Sequence, residues 1–391
     1  MNEHFDYQAL LDWHQENFES SLKGRYINQQ MILPLIENLS ADFKVDVAGQ
    51  SVEHRDIHTI KWGNGPKRIM LWSQMHGNES STTKALFDFF KWLEGNSDVV
   101  TVLKDKVQFL AIPMLSPDGA QRYTRLNAVE VDLNRDAQNL SQPESVVLRN
   151  VYNEFKPQYC FNLHGQRTIF SVNNPPQIAT LSFLSPAEDT ERSVTFSRKA
   201  GMAVINAMND TLQQIIPGQV GRYDDSFNIN CSGDTFQSLG AHTILFEAGH
   251  SANDYDRVRT RELLFVSYIK AFLYIANTNE HADDSDLAYA KIPQNEKLFY
   301  DIILREIEIP GVGLTDVAVQ YEEKLAENEV QFIPKIAQIG ELENFKGHKE
   351  LKGFSQKILK PNDIQWEVGE VLEEITVNGE SPTTFSLFLD K

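Results

Sequence analysis

Apolar residues recur along this chain with two different spacings, and the change between them divides it. Arg68–Ser73, Val107–Met114, Gln158–Leu163 and His242–Phe246 are short, largely apolar runs of the kind that form strands covered on both faces. Between them lie stretches of helical spacing. Ala85, Leu86, Phe89, Phe90 and Leu93 mark a helix over 80–94, and further helices are predicted over 143–155, 195–215 and about 256–276. A polar helix is expected over 6–23, and Phe43–Val47 and Arg55–Trp62 alternate as short strands before Gly63-Asn-Gly65 turns the chain. Strands interleaved with helices predict an α/β fold, a mixed, mainly parallel central sheet flanked by helices. In such sheets ligands lie beyond the carboxyl ends of the strands.

Between Asn277 and Glu296 the composition becomes acidic and polar, and the spacing then shifts to two: Val317, Val319, Tyr321; Ile364, Trp366, Val368; Phe385, Leu387, Leu389. This predicts an α/β domain over 1–290, with its motif-bearing core at about 60–276, and a small β-rich C-terminal domain over 291–391. A chain of 391 residues with 41% apolar content can bury an ordinary core. The net charge of −19 leaves no basic surface for phosphates, so nucleic acid and anionic membranes are not expected partners. Cys160 and Cys231 are too few for a disulfide framework and read as reduced thiols. The first residues lack a basic segment followed by an apolar one, and no window approaches the roughly 20 apolar residues of a membrane span, so a cytoplasmic location is expected.

Candidate chemistry begins where the first apolar run ends, in Trp72-Ser-Gln-Met-His76-Gly-Asn-Glu79. An imidazole and a carboxylate three residues apart at a strand-to-helix junction can both reach one divalent metal, and a catalytic zinc site asks for a third protein ligand. His164 closes the run Phe161-Asn-Leu-His164, so both imidazoles can converge at one sheet edge and complete a His76, Glu79, His164 set. Glu247 ends the run Thr243–Phe246, where partial desolvation would raise its pKa toward the range useful for acid–base work.

Taken in order, His76-x-x-Glu79, Ser116-Pro-Asp-Gly119, Arg125, Asp132-Leu-Asn134-Arg135, His164 and Glu247 resemble the zinc carboxypeptidases of the carboxypeptidase A type, across about residues 60–276. The resemblance implies one Zn²⁺ per chain, held by His76, Glu79 and His164, with Asp132 fixing the tautomer of His76. It implies that Glu247 is the general base and then delivers the proton to the leaving amine. Arg125 would polarise the scissile carbonyl, with Arg122 a competitor three residues away, while Asn134 and Arg135 would anchor the free carboxylate of a peptide.

Several positions depart from that pattern. Ser116 replaces the asparagine of NPDG. The tyrosine that closes over substrate in the family aligns with Phe227, while Tyr223 stands four residues upstream, so either Tyr223 serves or the chain does without the phenol. Gly233 stands where the family selects the terminal side chain and carries neither a charge nor a bulky apolar group. Cys231 reads as a packed thiol, not a ligand. The leading expectation is a zinc metallocarboxypeptidase acting on peptides or small amides with a free carboxylate. Two alternatives are an aspartoacylase or succinylglutamate desuccinylase type of amidohydrolase, and a silent module that binds peptide ends. Substrate, oligomeric state and the role of the C-terminal domain are left open by these residues.

Overall fold

Asp6 caps the first helix, its carboxylate accepting the Ala9 amide at 3.0 Å. The structure, a computed structural model, describes residues 6–95, 97–278, 284–309, 311–352, 358–359, 366–377 and 383–389. In chain order the elements are α1 (Tyr7–Asn17), α2 (Gln29–Glu37), β1 (Phe43–Gln50), β2 (Asp56–Trp62), β3 (Lys67–Ser73), α3 (Ser81–Leu93), α4 (Asp98–Lys106), β4 (Val107–Ile112), α5 (Pro117–Arg122), α6 (Pro143–Phe155) and β5 (Tyr159–Gly165). They continue with β6 (Ser171–Val172), β7 (Gln177–Ile178), β8 (Leu181–Leu184), α7 (Phe196–Ile215), β9 (Val220–Arg222), α8 (Ser232–Ser238), β10 (His242–Ala248), α9 (Val258–Asn277) and α10 (Ser285–Tyr289). The rest is β: β11 (Phe299–Ile309), β12 (Gly313–Ala326), β13 (Glu329–Gly340), β14 (Lys346–Lys352), β15 (Ile358–Leu359), β16 (Glu374–Val377) and β17 (Thr383–Ser386).

Two compact units result: Met1–Gln166 with Ala179–Asn295, and Arg167–Ile178 with Glu296–Lys391. In the first, eight strands run in the order β1-β2-β4-β3-β5-β10-β8-β9. The central strands β4, β3, β5 and β10 are mutually parallel, while β2 and β8 join them antiparallel, with β1 antiparallel to β2 and β9 parallel to β8, which makes the sheet mixed. Successive side chains on a strand point to opposite faces. Ile69, Leu71, Phe161, Leu163, Ile244 and Phe246 therefore share one core with Phe89, Phe90, Tyr268 and Phe272 of α3 and α9. Met70, Trp72 and Cys160 share the other with Val147, Leu148 and Val151 of α6 and Phe236 of α8. By the same alternation Asn162 and His164 lie on the α6/α8 face, and Glu247 stands in register with His164.

The N-terminal region differs from the helix expected over 6–23. It ends at Asn17, because the backbone beyond it is taken by tertiary partners: the Glu19 amide donates to Asp88 at 2.7 Å, and the Arg261 guanidinium donates to the Glu19 and Leu22 carbonyls. A second helix, α2, follows at residues too few, and too interrupted by Pro34, to show a clear period. The acidic stretch before Glu296 contains α10, whose Tyr289 is buried and whose hydroxyl accepts the Ser185 amide at 3.2 Å; residues 279–283 lie outside the described residues.

In the second unit the main sheet runs β13-β12-β11-β14, beside a three-stranded sheet β15-β16-β17 and the β6–β7 hairpin. Its core gathers Ile302, Leu304, Val317, Val319, Ile336, Leu372 and Leu387. The excursion 167–178 is bonded into this unit, with Ser171 bridged to Glu296 and the Thr168 hydroxyl accepting the Gln320 amide at 2.8 Å. Val317 and Val319 lie on β12 as their spacing predicts. Val368 does not extend a strand; it is exposed in a turn, Leu389 lies beyond β17, and Ile364 and the Phe385 side chain fall outside the described residues. Among the described residues no helix is long and apolar enough to cross a membrane.

Candidate metal centre

His76 and Glu79 occupy the tight link between β3 and α3. The chain turns at Gln74, whose positive φ of 46° is secured by its amide donating to the Ile27 and Gly77 carbonyls. Gly77 is required by a close approach: a Cβ built there would fall 1.9 Å from the Gly119 carbonyl carbon and 2.1 Å from the Ala120 nitrogen. The opposing segment is the Ser116-Pro-Asp-Gly119 start of α5, with Pro117 at its first position and Asp118 accepting from the Ser51 hydroxyl and the Glu53 amide.

Three donor atoms converge beyond the sheet. His76 Nδ1 is 2.8 Å from Glu79 Oε1, His164 Nδ1 is 3.0 Å from Glu79 Oε2, and the two Nδ1 atoms are 3.2 Å apart. Among the described residues this is the one group of at least three such side chains with ligand atoms within 4.8 Å of one another. Ligands at about 2.0–2.2 Å from a tetrahedral ion stand roughly 3.3–3.6 Å apart, so a small outward relaxation admits Zn²⁺. The donor set, two imidazoles and one carboxylate, is also one that zinc takes.

Asp132 settles which nitrogen can bind. Its ionised carboxylate only accepts, and Oδ1 lies 3.1 Å from His76 Nε2, so the ring proton sits on Nε2 and the Nδ1 lone pair faces the cluster. Oδ1 also accepts the Asn134 amide at 2.9 Å, capping the 3-10 turn Leu133–Arg135, and Oδ2 accepts Arg125 Nε and Nη2 at 3.1 and 3.0 Å. Burial would raise the Asp132 carboxyl pKa; the His76 hydrogen bond and charge and the Arg125 cation outweigh it and hold it well below the ordinary range. In Glu79 burial is likewise outweighed, by His76 and His164, and the Gly165 amide donates to Oε2 at 2.9 Å. His164 is pushed down by burial, only partly offset by Glu79.

Glu247 is buried at the end of β10, and its pKa is pushed well up, first by burial and then by the Glu79 charge, with Arg125 opposing. Its Oε2 has no hydrogen-bond partner among the described residues. Tyr223 follows β9, and burial and then the charges of Glu247 and Glu79 push its phenol pKa up. Phe227 lies half-buried farther along the same loop. Arg125 does not stand open toward a substrate here. Its guanidinium forks onto Asp132, with Nη1 3.6 Å from Glu79 Oε1. Arg122 is paired with Glu53 instead.

Asn134 and Arg135 adjoin Cys231 and Ser232 at the start of α8, contacts that no local spacing reveals. Gly233 presents no open floor: a Cβ there would meet Pro186 Cγ at 3.3 Å and Asn162 Nδ2 at 3.5 Å. The Cys160 and Cys231 thiols are both unpaired, the first fully buried.

A family profile described as zinc carboxypeptidase matches residues 34–139. Mouse carboxypeptidase D is 30% identical over 158 residues, which cover 35% of this chain and 11% of that protein. Carboxypeptidase 2 of Trichophyton rubrum is 25% identical over 100 residues, covering 25% and 19%. The matched stretches thus span from about a tenth to about a third of the curated relatives' length. The fold is similar to a metallo-carboxypeptidase from Pseudomonas aeruginosa, solved with (2-guanidinoethylmercapto)succinic acid, at TM-score 0.52 and 15% identity over 64% of this chain and 69% of that one. It is also similar to a metallo-carboxypeptidase from Burkholderia cenocepacia, at TM-score 0.51 and 18% identity over 62% and 67%.

Proposed function

With the zinc carboxypeptidase fold and family match as the premise, we propose that this protein is a zinc-dependent metallocarboxypeptidase that removes a C-terminal residue from peptides. The observation that carries the reading is the convergence of His76 Nδ1, Glu79 and His164 Nδ1 together with the buried carboxylate of Glu247, whose Oε2 has no hydrogen-bond partner among the described residues.

His76, Glu79 and His164 would hold the ion, and Asp132 keeps His76 in the tautomer that can bind it. When bound, Zn²⁺ supplies a Lewis acid that polarises a carbonyl and makes a nearby water more acidic. Glu247 takes a proton from the attacking water and passes it to the departing amine, a task suited to a carboxylate whose pKa burial has raised. Tyr223, whose buried phenol feels the Glu247 and Glu79 charges, would close over a bound peptide end. Asn134 and Arg135 offer N–H groups to the terminal carboxylate, and Arg125, released from Asp132, would brace the oxyanion.

The test is to give the purified protein an unblocked peptide, the same peptide amidated at its C terminus, and N-acetyl-aspartate, with and without a chelator. Release of the terminal amino acid from the unblocked peptide alone, abolished by chelation and restored by zinc, is the expected result. Deacetylation of N-acetyl-aspartate without peptide cleavage, or peptide cleavage indifferent to chelation, overturns the proposal.

A further inference from the structure

Two consecutive residues of the 3-10 turn, Asn134 and Arg135, are gripped by two consecutive residues at the start of α8. Asn134 Oδ1 accepts both the backbone amide of Ser232, at 3.0 Å, and its hydroxyl, at 2.9 Å. Arg135 Nη1 donates to Cys231 Sγ at 3.1 Å and to the Asn134 carbonyl at 2.7 Å. The two segments are joined again where the Ala137 amide donates to the Asn230 carbonyl at 3.2 Å and the Gln138 amide to the Thr235 hydroxyl at 2.9 Å.

The hydrogen-bond inventory fixes the orientations. A backbone N–H can only donate, so the atom of the Asn134 amide facing Ser232 is the oxygen, and the amide nitrogen must point the other way. Among the described residues that nitrogen has no recorded partner, so both of its N–H groups are available. Ser232 has one hydroxyl proton, committed to Asn134, and its oxygen accepts from Asn162 Nδ2 at 3.4 Å. Ser232 and Asn162 are each only 1% exposed, so water does not compete for these bonds. Asn162 lies two residues before His164 on the same face of β5, which ties the arrangement to the strand carrying a candidate zinc ligand.

We infer that Ser232 is a positioning residue that aims the Asn134 amide at the substrate's terminal carboxylate, and that with Cys231, which steadies Arg135, it makes the enzyme select free carboxylate ends over amidated ones. The inference rests on the carboxypeptidase reading and adds to it the residues that enforce the substrate class. Ser232 touches no substrate and acts through Asn134. Without the Ser232 hydroxyl, Asn134 Oδ1 keeps only the Ser232 backbone amide as a donor, so the side chain is held less firmly and its N–H groups are aimed at the carboxylate less of the time.

The measurement is the ratio of kcat/KM for an unblocked peptide to that for its C-terminal amide, in wild type, Ser232→Ala, Asn134→Ala and the double variant. Ser232→Ala is expected to lower the ratio about three- to tenfold, mainly through KM for the unblocked peptide, as loss of one of the two neutral hydrogen bonds that hold Asn134 would. The double variant is expected to match Asn134→Ala alone, because a residue acting only through Asn134 has nothing left to position. An unchanged ratio in Ser232→Ala, or additive losses in the double variant, overturns the inference while leaving the carboxypeptidase reading intact. A wild type that releases no terminal residue refutes that reading itself. Should Ser232→Ala not fold by circular dichroism, Ser232→Cys, a near-isosteric weak donor, carries the same test with a smaller expected loss.

Discussion

A proton on one nitrogen decides what His76 can do. Asp132 holds that proton on Nε2, and without an acceptor there the imidazole would be free to place it on Nδ1, where a metal must bind. Asp132→Ala is therefore expected to weaken zinc binding by about 10- to 100-fold, measured by competition with a chelating dye; unchanged affinity would remove Asp132 from the role. Glu247 makes a different demand, since its carboxylate can take a proton without holding the ion. Glu247→Gln should keep stoichiometric zinc while kcat falls by about 10² to 10⁴, and a variant hydrolysing peptides at the wild-type rate would end the general-base assignment. The side chains that converge were legible one at a time, because each either ends an apolar run or sits at ligand spacing from another. The fork of Arg125 onto Asp132, the pairing of Arg122 with Glu53 and the grip of Ser232 on Asn134 were not legible. Each depends on which distant side chain arrives nearby, and surface arginines and serines carry no periodicity that announces a partner.

At the scale of elements, the link between β3 and α3 works because two glycine-bearing segments nearly touch. Gly77→Ala would drive a methyl group into the backbone of Gly119 and Ala120, which no side-chain rotation can relieve. A loss of about 3 kcal/mol or more in unfolding free energy is expected, together with weaker zinc binding, and a denaturant midpoint like that of wild type would contradict it. A second expectation concerns α3 itself. Lys84 is buried on it and donates to the Gly24 and Asp256 carbonyls at 2.6 and 3.1 Å. Burial, aided by the Arg261 and Arg25 charges, brings its pKa down to about 7. Between that value and the ordinary 10.5 the unfolded chain holds a proton that the native state has released, so stability rises with pH across this window. Below it the full cost of burying the charge is present. The difference in unfolding free energy between wild type and Lys84→Met should change by up to about 1.4 kcal/mol per pH unit from pH ~7.5 to ~9.5, and parallel curves would refute the shift. Of the elements themselves, the long helices and central strands follow their spacing closely. The missed ones, α2, α4, α5, α8 and α10, are nine residues or fewer, too short to complete a periodic face.

Taken whole, the molecule is two units of unlike architecture, and the candidate ligands all belong to the first. A ligand that binds only the folded form stabilises it by about 2.7 kcal/mol when present at 100 times its dissociation constant. Calorimetry with added zinc should therefore shift upward the transition in which the first unit unfolds, with a chelator reversing the shift. The absence of any shift would argue against a zinc site at His76, Glu79 and His164. The change in spacing after residue 296 made a second, β-rich part legible, but not the excursion 167–178, whose pairing with Glu296 and Gln320 is wholly non-local. That excursion has a consequence for biogenesis. A growing polypeptide delivers residues 167–178 to the ribosomal exit long before the strands they bond to have been translated, so a nascent chain must carry an unsatisfied hairpin, only a few residues past His164, until residues 296–320 have emerged. A premature stop near residue 295 would not excise the second unit cleanly; it would strand that hairpin as exposed backbone in search of an edge to join.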